Sequence, residues 1–87
     1  MKISEKERTA LIRKGNQFFN EGKIDMAEKI FIATNYKDGL IRIGDYYYKK
    51  GEPLRALTYY TKAGFTPRIK ELAEKMVYAL KTWLQED

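Results

Sequence analysis

The sequence contains no cysteine and no histidine among its 87 residues. Without cysteine, a disulfide framework and thiolate chemistry are excluded. Without histidine, the chain lacks the side chain that most often acts as a general base or binds a metal ion. These two absences predict a protein that is not an enzyme and that carries no metal and no cofactor.

Other signals of catalysis are also missing from the sequence. There is no nucleophile–base pair, no glycine-rich phosphate loop and no cluster of metal-binding residue types. Asp45 and Glu74 are two carboxylates that a helical fold could bring together, but a carboxylate pair alone is weak evidence for an enzyme. The sequence therefore favours a role in binding over catalysis.

Long apolar runs are absent as well. No stretch approaches the roughly 18 apolar residues of a membrane span, and the opening segment MKISEKERTA has no apolar region of the secretory kind. These features predict a cytoplasmic protein without a membrane span. A length of 87 residues corresponds to one small domain, residues 1–87, and whether it is complete or belongs to a longer protein stays open.

Charge of neither sign dominates the sequence. There are 17 basic and 12 acidic residues, a formal net charge of +5, and the two signs alternate along the chain. Such alternation is typical of a solvated helical surface. The net charge and the seven tyrosines leave open an adaptor for nucleic acid or an anionic surface. No basic stripe supports that alternative, so nucleic acid is the less favoured partner.

What the sequence does contain is an internal repeat. Residues 8–35 align without a gap with residues 37–64, 29 positions later. The identical positions are Leu11/Leu40, Ile12/Ile41, Arg13/Arg42, Gly15/Gly44, Gly22/Gly51 and Ala27/Ala56, and aromatic residues coincide at Phe18/Tyr47, Phe19/Tyr48 and Phe31/Tyr60. At the same offset, residue size and polarity persist into Ile69, Leu72, Ala73, Met76 and Val77.

Each aligned segment predicts two helices, and a fifth helix follows. Apolar residues recur with helical spacing, and Ser4 with Glu7 forms a capping-box signature at the first helix start. Gly or Asn is expected to end the first four helices, at Gly22, Asn35, Gly51 and Gly64. Pro53 suits the first turn of the fourth helix. Thr66 and Pro67 predict the cap and first residue of a final helix that extends to about Gln85.

Two glycines lie in the middle of predicted helices. Gly15 and Gly44 each cost their helix about 1 kcal/mol relative to alanine, and the repeated cost indicates a packing reason. We expect a neighbouring helix to approach closely there, with Phe31 and Tyr60 filling the space. These residues, together with Ala27 and Ala56, are predicted to form the core.

The repeated residues resemble the tetratricopeptide repeat family in type and order. The second unit reads Leu40, Gly44, Tyr47, Gly51, Ala56, Tyr60 and Ala63, and the first reads Leu11, Gly15, Phe18, Gly22, Ala27 and Phe31, with Thr34 last. The period of 29 residues is shorter than the family's, which is about 34, and the shortening falls after Thr34. The resemblance covers about residues 8–80.

The resemblance implies a fold and a function. The expected fold is an all-α, right-handed array of antiparallel helix pairs with five helices. Its repeats are at about 8–35 and 37–64, and a capping helix is at about 67–85. Family members are scaffolds that bind peptides or partner proteins on a concave face lined by the first helix of each pair. The stripe expected to line that face contains Arg13, Asn16, Phe19, Asn20, Arg42, Asp45, Tyr48 and Lys49.

The type of ligand is narrowed by the residues on this stripe. Family members that hold acidic chaperone tails use four side chains, of which only Asn16 is matched, because Ile12, Arg42 and Glu71 replace the others. An apolar-aromatic peptide anchored beside Phe19 and Tyr48, with charges at Arg13 and Arg42, fits better. The other interpretation of these arginines is an intramolecular ion pair of Arg13 or Arg42 with Asp45.

The end of the sequence predicts a second interaction surface. The stretch KMVYALKTWLQED places apolar residues on adjoining helical stripes. The preceding units are too short to cover its far end, so Leu80, Trp83 and Leu84 are expected to be exposed. Such a patch is typical of an interface, either with further helices of a longer chain or with a second copy in a homodimer. A frayed helix end is the third interpretation.

Overall fold

The structure, a computed structural model, describes residues 3–85, and these residues form five α-helices. The helices are α1 (Glu5–Asn20), α2 (Ile24–Thr34), α3 (Lys37–Lys49), α4 (Pro53–Ala63) and α5 (Thr66–Gln85). No strand occurs within these residues. The expectation of an all-α chain with five helices is therefore confirmed over the described range. In the same range, no helix combines the length and the apolar character that crossing a membrane requires.

The helices pack as neighbours along the chain. The most extensive contacts join α1 to α2 and α3 to α4, while α2 packs on α3 and α4 packs on α5. Because the connections contain only two or three residues, each helix runs antiparallel to the one before it. The molecule measures 58 × 24 × 19 Å, so the helices form an extended row in which each element contacts mainly its neighbours.

The helix starts largely follow the sequence signals. The Ser4 hydroxyl accepts a hydrogen bond from the Glu7 backbone N–H at 3.1 Å, and the Ser4 N–H donates to Glu7 Oε1 at 3.0 Å. This capping box lowers the pKa of Glu7, chiefly through the bond from the Ser4 backbone. Pro53 is the first residue of α4, where its missing N–H leaves no hydrogen bond unmade.

The predicted cap of α5 is wrong by one residue. The helix begins at Thr66 itself, so Thr66 is the first helical residue and Pro67 the second. The Thr66 hydroxyl donates to the Gly64 carbonyl at 3.4 Å and does not cap the helix. The preceding turn fixes this start, because the Phe65 N–H is already bonded to the Tyr60 carbonyl at 2.9 Å.

The first four helices all end in the same way. A residue with positive φ follows each of them: Gly22 at 81°, Asn35 at 49°, Gly51 at 81° and Gly64 at 67°. The next backbone N–H then bonds back to a carbonyl five residues earlier, as from Lys23 to Phe18 at 2.8 Å. This is the Schellman arrangement, which satisfies carbonyls left free at a helix end. The two hairpins therefore terminate identically, 29 positions apart.

The core centres on two buried aromatic rings at equivalent positions. Phe31 of α2 and Tyr60 of α4 are fully buried. A β-carbon placed on Gly15 would lie 2.6 Å from the Phe31 ring, and one on Gly44 would lie 2.7 Å from the Tyr60 ring. Phe31 also covers Gly39 of α3, at 2.5 Å from such an atom. The predicted packing reason for Gly15 and Gly44 is confirmed, and the Phe31 ring fills the contact between α1 and α3.

We predict that Gly44→Ala destabilises the fold, although alanine is the better helix former. The added methyl group would overlap the buried Tyr60 ring, and overpacking of this kind typically costs about 1–3 kcal/mol. The measurement is the free energy of unfolding from urea titration followed by circular dichroism. Ala10→Gly, at an exposed position of α1, gives the propensity effect alone, about 1 kcal/mol. A Gly44→Ala variant more stable than the parent would contradict the packing argument.

Candidate partner-binding surface

Side chains from α1, α3 and α5 form one continuous surface, which we call the α1/α3/α5 face. Contacts between α1 and α3 involve Arg42, and contacts between α3 and α5 involve Asp45 and Tyr48. Seven of the eight residues predicted from sequence take part in its contacts or line its depression, namely Asn16, Phe19, Asn20, Arg42, Asp45, Tyr48 and Lys49. The eighth, Arg13, is an exposed residue of α1. Their contacts show which of them join the helices and which are exposed.

Arg42 joins α3 to α1 through its guanidinium group. One terminal nitrogen donates to Asn16 Oδ1 at 2.8 Å, and the other donates to Asn20 Oδ1 at 3.1 Å. The guanidinium carbon lies 4.3 Å from the centroid of the Phe19 ring, in cation–π geometry. Four predicted residues are thus brought together, and Asn16 and Asn20, one helical turn apart, match the fork of the arginine.

Asp45 belongs to a second cluster, between α3 and α5. The Tyr60 hydroxyl donates to Asp45 Oδ1 at 2.6 Å, and a guanidinium nitrogen of Arg68 lies 3.8 Å from the same oxygen. Arg68 also donates to Glu71 at 3.0 Å and lies 4.8 Å from the Tyr48 ring centroid. Burial, and then the bond to Asp45, raise the pKa of the Tyr60 hydroxyl.

Tyr48 is covered by cations from α5. The Lys75 ammonium donates to the Tyr48 hydroxyl at 2.7 Å and lies 5.4 Å from the ring centroid. The hydrogen bond to Tyr48 raises the pKa of Lys75, and Glu71, 3.4 Å from the ammonium, contributes in the same direction. Tyr48 therefore lies between Arg68 and Lys75, and its ring is less available to a ligand than the sequence suggested.

The predicted pairing of an arginine with Asp45 occurs, but with a different arginine. Among residues 3–85, the cation within 4.0 Å of Asp45 is Arg68. Arg42 bonds to the two asparagines instead, and Arg13 is an exposed side chain that joins neither cluster. The repeated arginines therefore differ in environment, because Arg42 bonds to two asparagines of α1, whereas Arg13 is an exposed residue of α1 itself.

A shallow depression lies between the two clusters. It has a volume of about 350 Å³ and is lined by Phe19, Arg42, Asp45, Tyr46 and Lys49. Phe19 and Tyr46 meet edge to face, with centroids 6.5 Å apart, and form its apolar part. Lys49 is exposed at its rim. The depression combines an aromatic surface with positive charge, and both are accessible from solvent.

Three further residues belong to this face and were not predicted from the sequence, namely Tyr46, Arg68 and Lys75. Tyr46 lies within the run DYYYKK and aligns with Gln17, a residue of a different type, so the repeat did not indicate that Tyr46 lies on this face. Arg68 aligns with Gly39 and Lys75 with Tyr46 at the same offset. The spacing of Arg68, Glu71 and Lys75 at i, i+3 and i+7 was the available signal, because it places all three on one side of α5.

We predict that Arg42→Lys destabilises the fold by about 1 kcal/mol, because an ammonium cannot make two bonds in fixed fork geometry. Arg13→Lys, at the repeat-equivalent exposed position, is the matched control and should stay within about 0.5 kcal/mol of the parent. Urea titration of both variants measures the difference. Equal stability of the two would show that the bonds from Arg42 to Asn16 and Asn20 contribute nothing.

We also predict that stability falls above about pH 10. Unfolded tyrosine loses its proton near that pH, whereas burial and a 2.5 Å bond to Glu28 raise the pKa of Tyr59 to about 12. Between these values the unfolded state binds fewer protons, so the free energy of unfolding decreases with pH, by up to about 1.4 kcal/mol per unit for one tyrosine. Tyr59→Phe should reduce this slope in urea titrations between pH 9 and 12. An unchanged slope would contradict the prediction.

Comparison with known proteins adds one relative. No model of a known protein family matches the chain, and no solved structure matches it. The chain is similar to an uncharacterized protein of Treponema pallidum (strain Nichols), with 48% identity over 58 residues. The match covers 67% of this chain and 56% of the relative, so the chain spans little more than half the length of that protein.

Proposed function

We propose that the chain is a protein–protein interaction module that binds a peptide segment of its partner on the α1/α3/α5 face. The observation that carries this proposal is the depression between Phe19, Tyr46 and Lys49, which exposes aromatic surface and positive charge side by side. Aromatic and cationic side chains are the residue types that most often anchor protein interfaces. The surrounding arginine bonds hold this surface in place before a partner arrives.

The proposed architecture is an array of the tetratricopeptide kind. The identical helix ends at Gly22 and Gly51 support it, as do the matching contacts of Phe31 with Gly15 and of Tyr60 with Gly44. In such an array the first helix of each pair lines the binding face, and α1 and α3 would be these helices. The short period places Arg42 within reach of Asn16 and Asn20, which would draw the two units together on that face.

The chemistry of the depression favours an acidic-aromatic peptide. Lys49 is exposed at the rim, and Arg42 uses two of its five N–H groups in bonds to α1. A carboxylate of the ligand would lie between these cations, and an apolar or aromatic side chain would contact Phe19 and Tyr46. Asp45 would not repel the carboxylate strongly, because Tyr60 and Arg68 already bind its oxygen.

Nucleic-acid binding is the alternative, and the face supports it less well. Single-stranded bases need open aromatic rings on which to stack. Here a cation lies over each of three rings, with Arg42 over Phe19, Lys50 over Tyr46 and Lys75 over Tyr48. Base stacking would have to displace these side chains, whereas a peptide that contacts ring edges would not.

The experiment is selection of binders from a displayed library of random 12-residue peptides. The dissociation constant of a selected, fluorescently labelled peptide is then measured by fluorescence anisotropy. We expect acidic and aromatic residues to be enriched. Lys49→Glu should weaken binding about tenfold, which corresponds to about 1.4 kcal/mol for loss of a rim cation and its replacement by a like charge. Arg13→Glu should weaken binding less, because Arg13 lies outside the depression.

The control is Lys29→Glu, which makes the same charge change at an exposed position of α2. Its dissociation constant for the peptide should stay within about twofold of the parent's value, since the change is distant from the face. Equal peptide affinities of Lys49→Glu and Lys29→Glu would show that the peptide does not bind at the depression. Retardation of a single-stranded oligonucleotide with a steep dependence on salt would favour the alternative function.

A further inference from the structure

Helix α5 carries an apolar stripe that nothing in the described structure covers. Ala73, Val77, Leu80 and Leu84 recur at i, i+4, i+7 and i+11, so they lie on one side of the helix. We call them the outer stripe. All four are exposed, with Val77 at 50%, Leu80 at 55% and Leu84 at 81% of full exposure. Leu72, by contrast, faces the rest of the molecule and is buried.

The repeat offset indicates that a helix packs on the outer stripe. Ala73 is 29 positions after Gly44, which is 29 positions after Gly15. Gly15 is covered by Phe31 of α2, and Gly44 is covered by Tyr60 of α4. Each of these small residues thus marks where the antiparallel partner helix of a hairpin packs. Within residues 3–85, α5 has no such partner helix, and Ala73 is exposed.

We propose that α5 of a second copy fills this place, antiparallel to the first, in a closed two-fold dimer. In a two-fold antiparallel pair centred between Tyr78 and Ala79, Ala73 faces Leu84 of the second copy. Val77 then faces Leu80 of the second copy, and symmetry repeats both contacts. A large side chain would cover the small Ala73, as Phe31 covers Gly15 and Tyr60 covers Gly44.

The charges beside the outer stripe fit this pairing. With Val77 and Leu84 as a positions and Leu80 as a d position of a heptad, Glu74 and Lys81 are both e positions. In an antiparallel pair e positions lie opposite each other, so Glu74 meets Lys81 of the second copy on each side of the axis. Helix α5 therefore carries both an acidic and a basic residue, Glu74 and Lys81, at positions where each meets the other in an antiparallel pair of identical helices.

The opposite edge of the stripe is apolar. Met76 and Trp83 are the g positions, and the same register brings Met76 next to Trp83 of the second copy. Trp83 is 66% exposed in the single chain, and this contact would cover part of it. A parallel pair would not use the charges, because e positions would then face g positions, which places Lys81 against Met76.

The dimer surface is separate from the depression of the proposed binding function. Its residues lie on α5, between Ala73 and Leu84, whereas the depression is formed by α1 and α3. A variant that loses self-association can therefore still be tested for peptide binding, and a variant that loses peptide binding can still be tested for self-association. The interface comprises about three helical turns from each copy, which is small for a protein interface, so we expect reversible association at micromolar or higher concentration.

The experiment is sedimentation equilibrium of the 87-residue chain from about 10 µM to 1 mM, at low and at high salt. We expect a monomer–dimer equilibrium that weakens with salt. Glu74→Lys and Lys81→Glu, each alone, should weaken self-association at least about tenfold, because both symmetry-related ion pairs become repulsive. An equimolar mixture of the two variants should associate again, since each then supplies the charge that the other needs.

The double variant Glu74→Lys/Lys81→Glu should also restore the dimer, and Lys29→Glu on α2 should leave it unchanged. Circular dichroism verifies that every variant keeps the helical content of the parent. A chain that stays monomeric at 1 mM would overturn the proposal and assign the outer stripe to a further helix or a different protein. A dimer that neither charge reversal affects, or a mixture that fails to associate, would overturn the proposed register.

Discussion

The close approach of aromatic rings to glycine is the constraint on which the rest of the structure depends. The Phe31 ring lies where a side chain on Gly15 or Gly39 would otherwise be, so α2 packs on α1 and α3 at once. Tyr60 has the same relation to Gly44, but its other side faces Arg68, with the guanidinium 5.8 Å from the ring centroid. Packing by one ring thus fixes the spacing of three helices and determines which polar side chains can meet between them.

This spacing accounts for the polar contacts across α1, α3 and α5. Because the units lie close together, Arg42 reaches back to α1 and Arg68 reaches α3, and each arginine also covers an aromatic ring. The net charge of +5 is therefore not a free basic surface, since several cations are held over tyrosine and phenylalanine. The depression around Phe19 and Tyr46 and the outer stripe of α5 remain exposed to solvent.

Local features were predictable from the sequence, and contacts between helices were not. The ends of four helices follow from Gly or Asn at the position that requires positive φ, because that requirement is met within a few residues. The start of α5 was misplaced because it depends on hydrogen bonds of the preceding turn. The ion-pair partner of Asp45 was expected to be Arg13 or Arg42 and is Arg68. Arg68 aligns with Gly39 of α3, so the repeat pattern gave no indication that a long cationic side chain would reach Asp45 from this position. The exposure of Trp83 was predictable, since a helix longer than its neighbours must extend beyond them.

The short, uniform turns between the helices have a consequence for how the chain folds. Every connection contains two or three residues, and the main contacts join helices that are adjacent in sequence. Contact order is accordingly low, so little loop entropy has to be overcome before a contact forms, and such topologies fold quickly. Either hairpin can then act as the nucleus, and structure can spread along the row as it does in other arrays of nearest-neighbour units. The far end of α5, where residues 81–85 are all exposed, would be the first segment to open and the last to close.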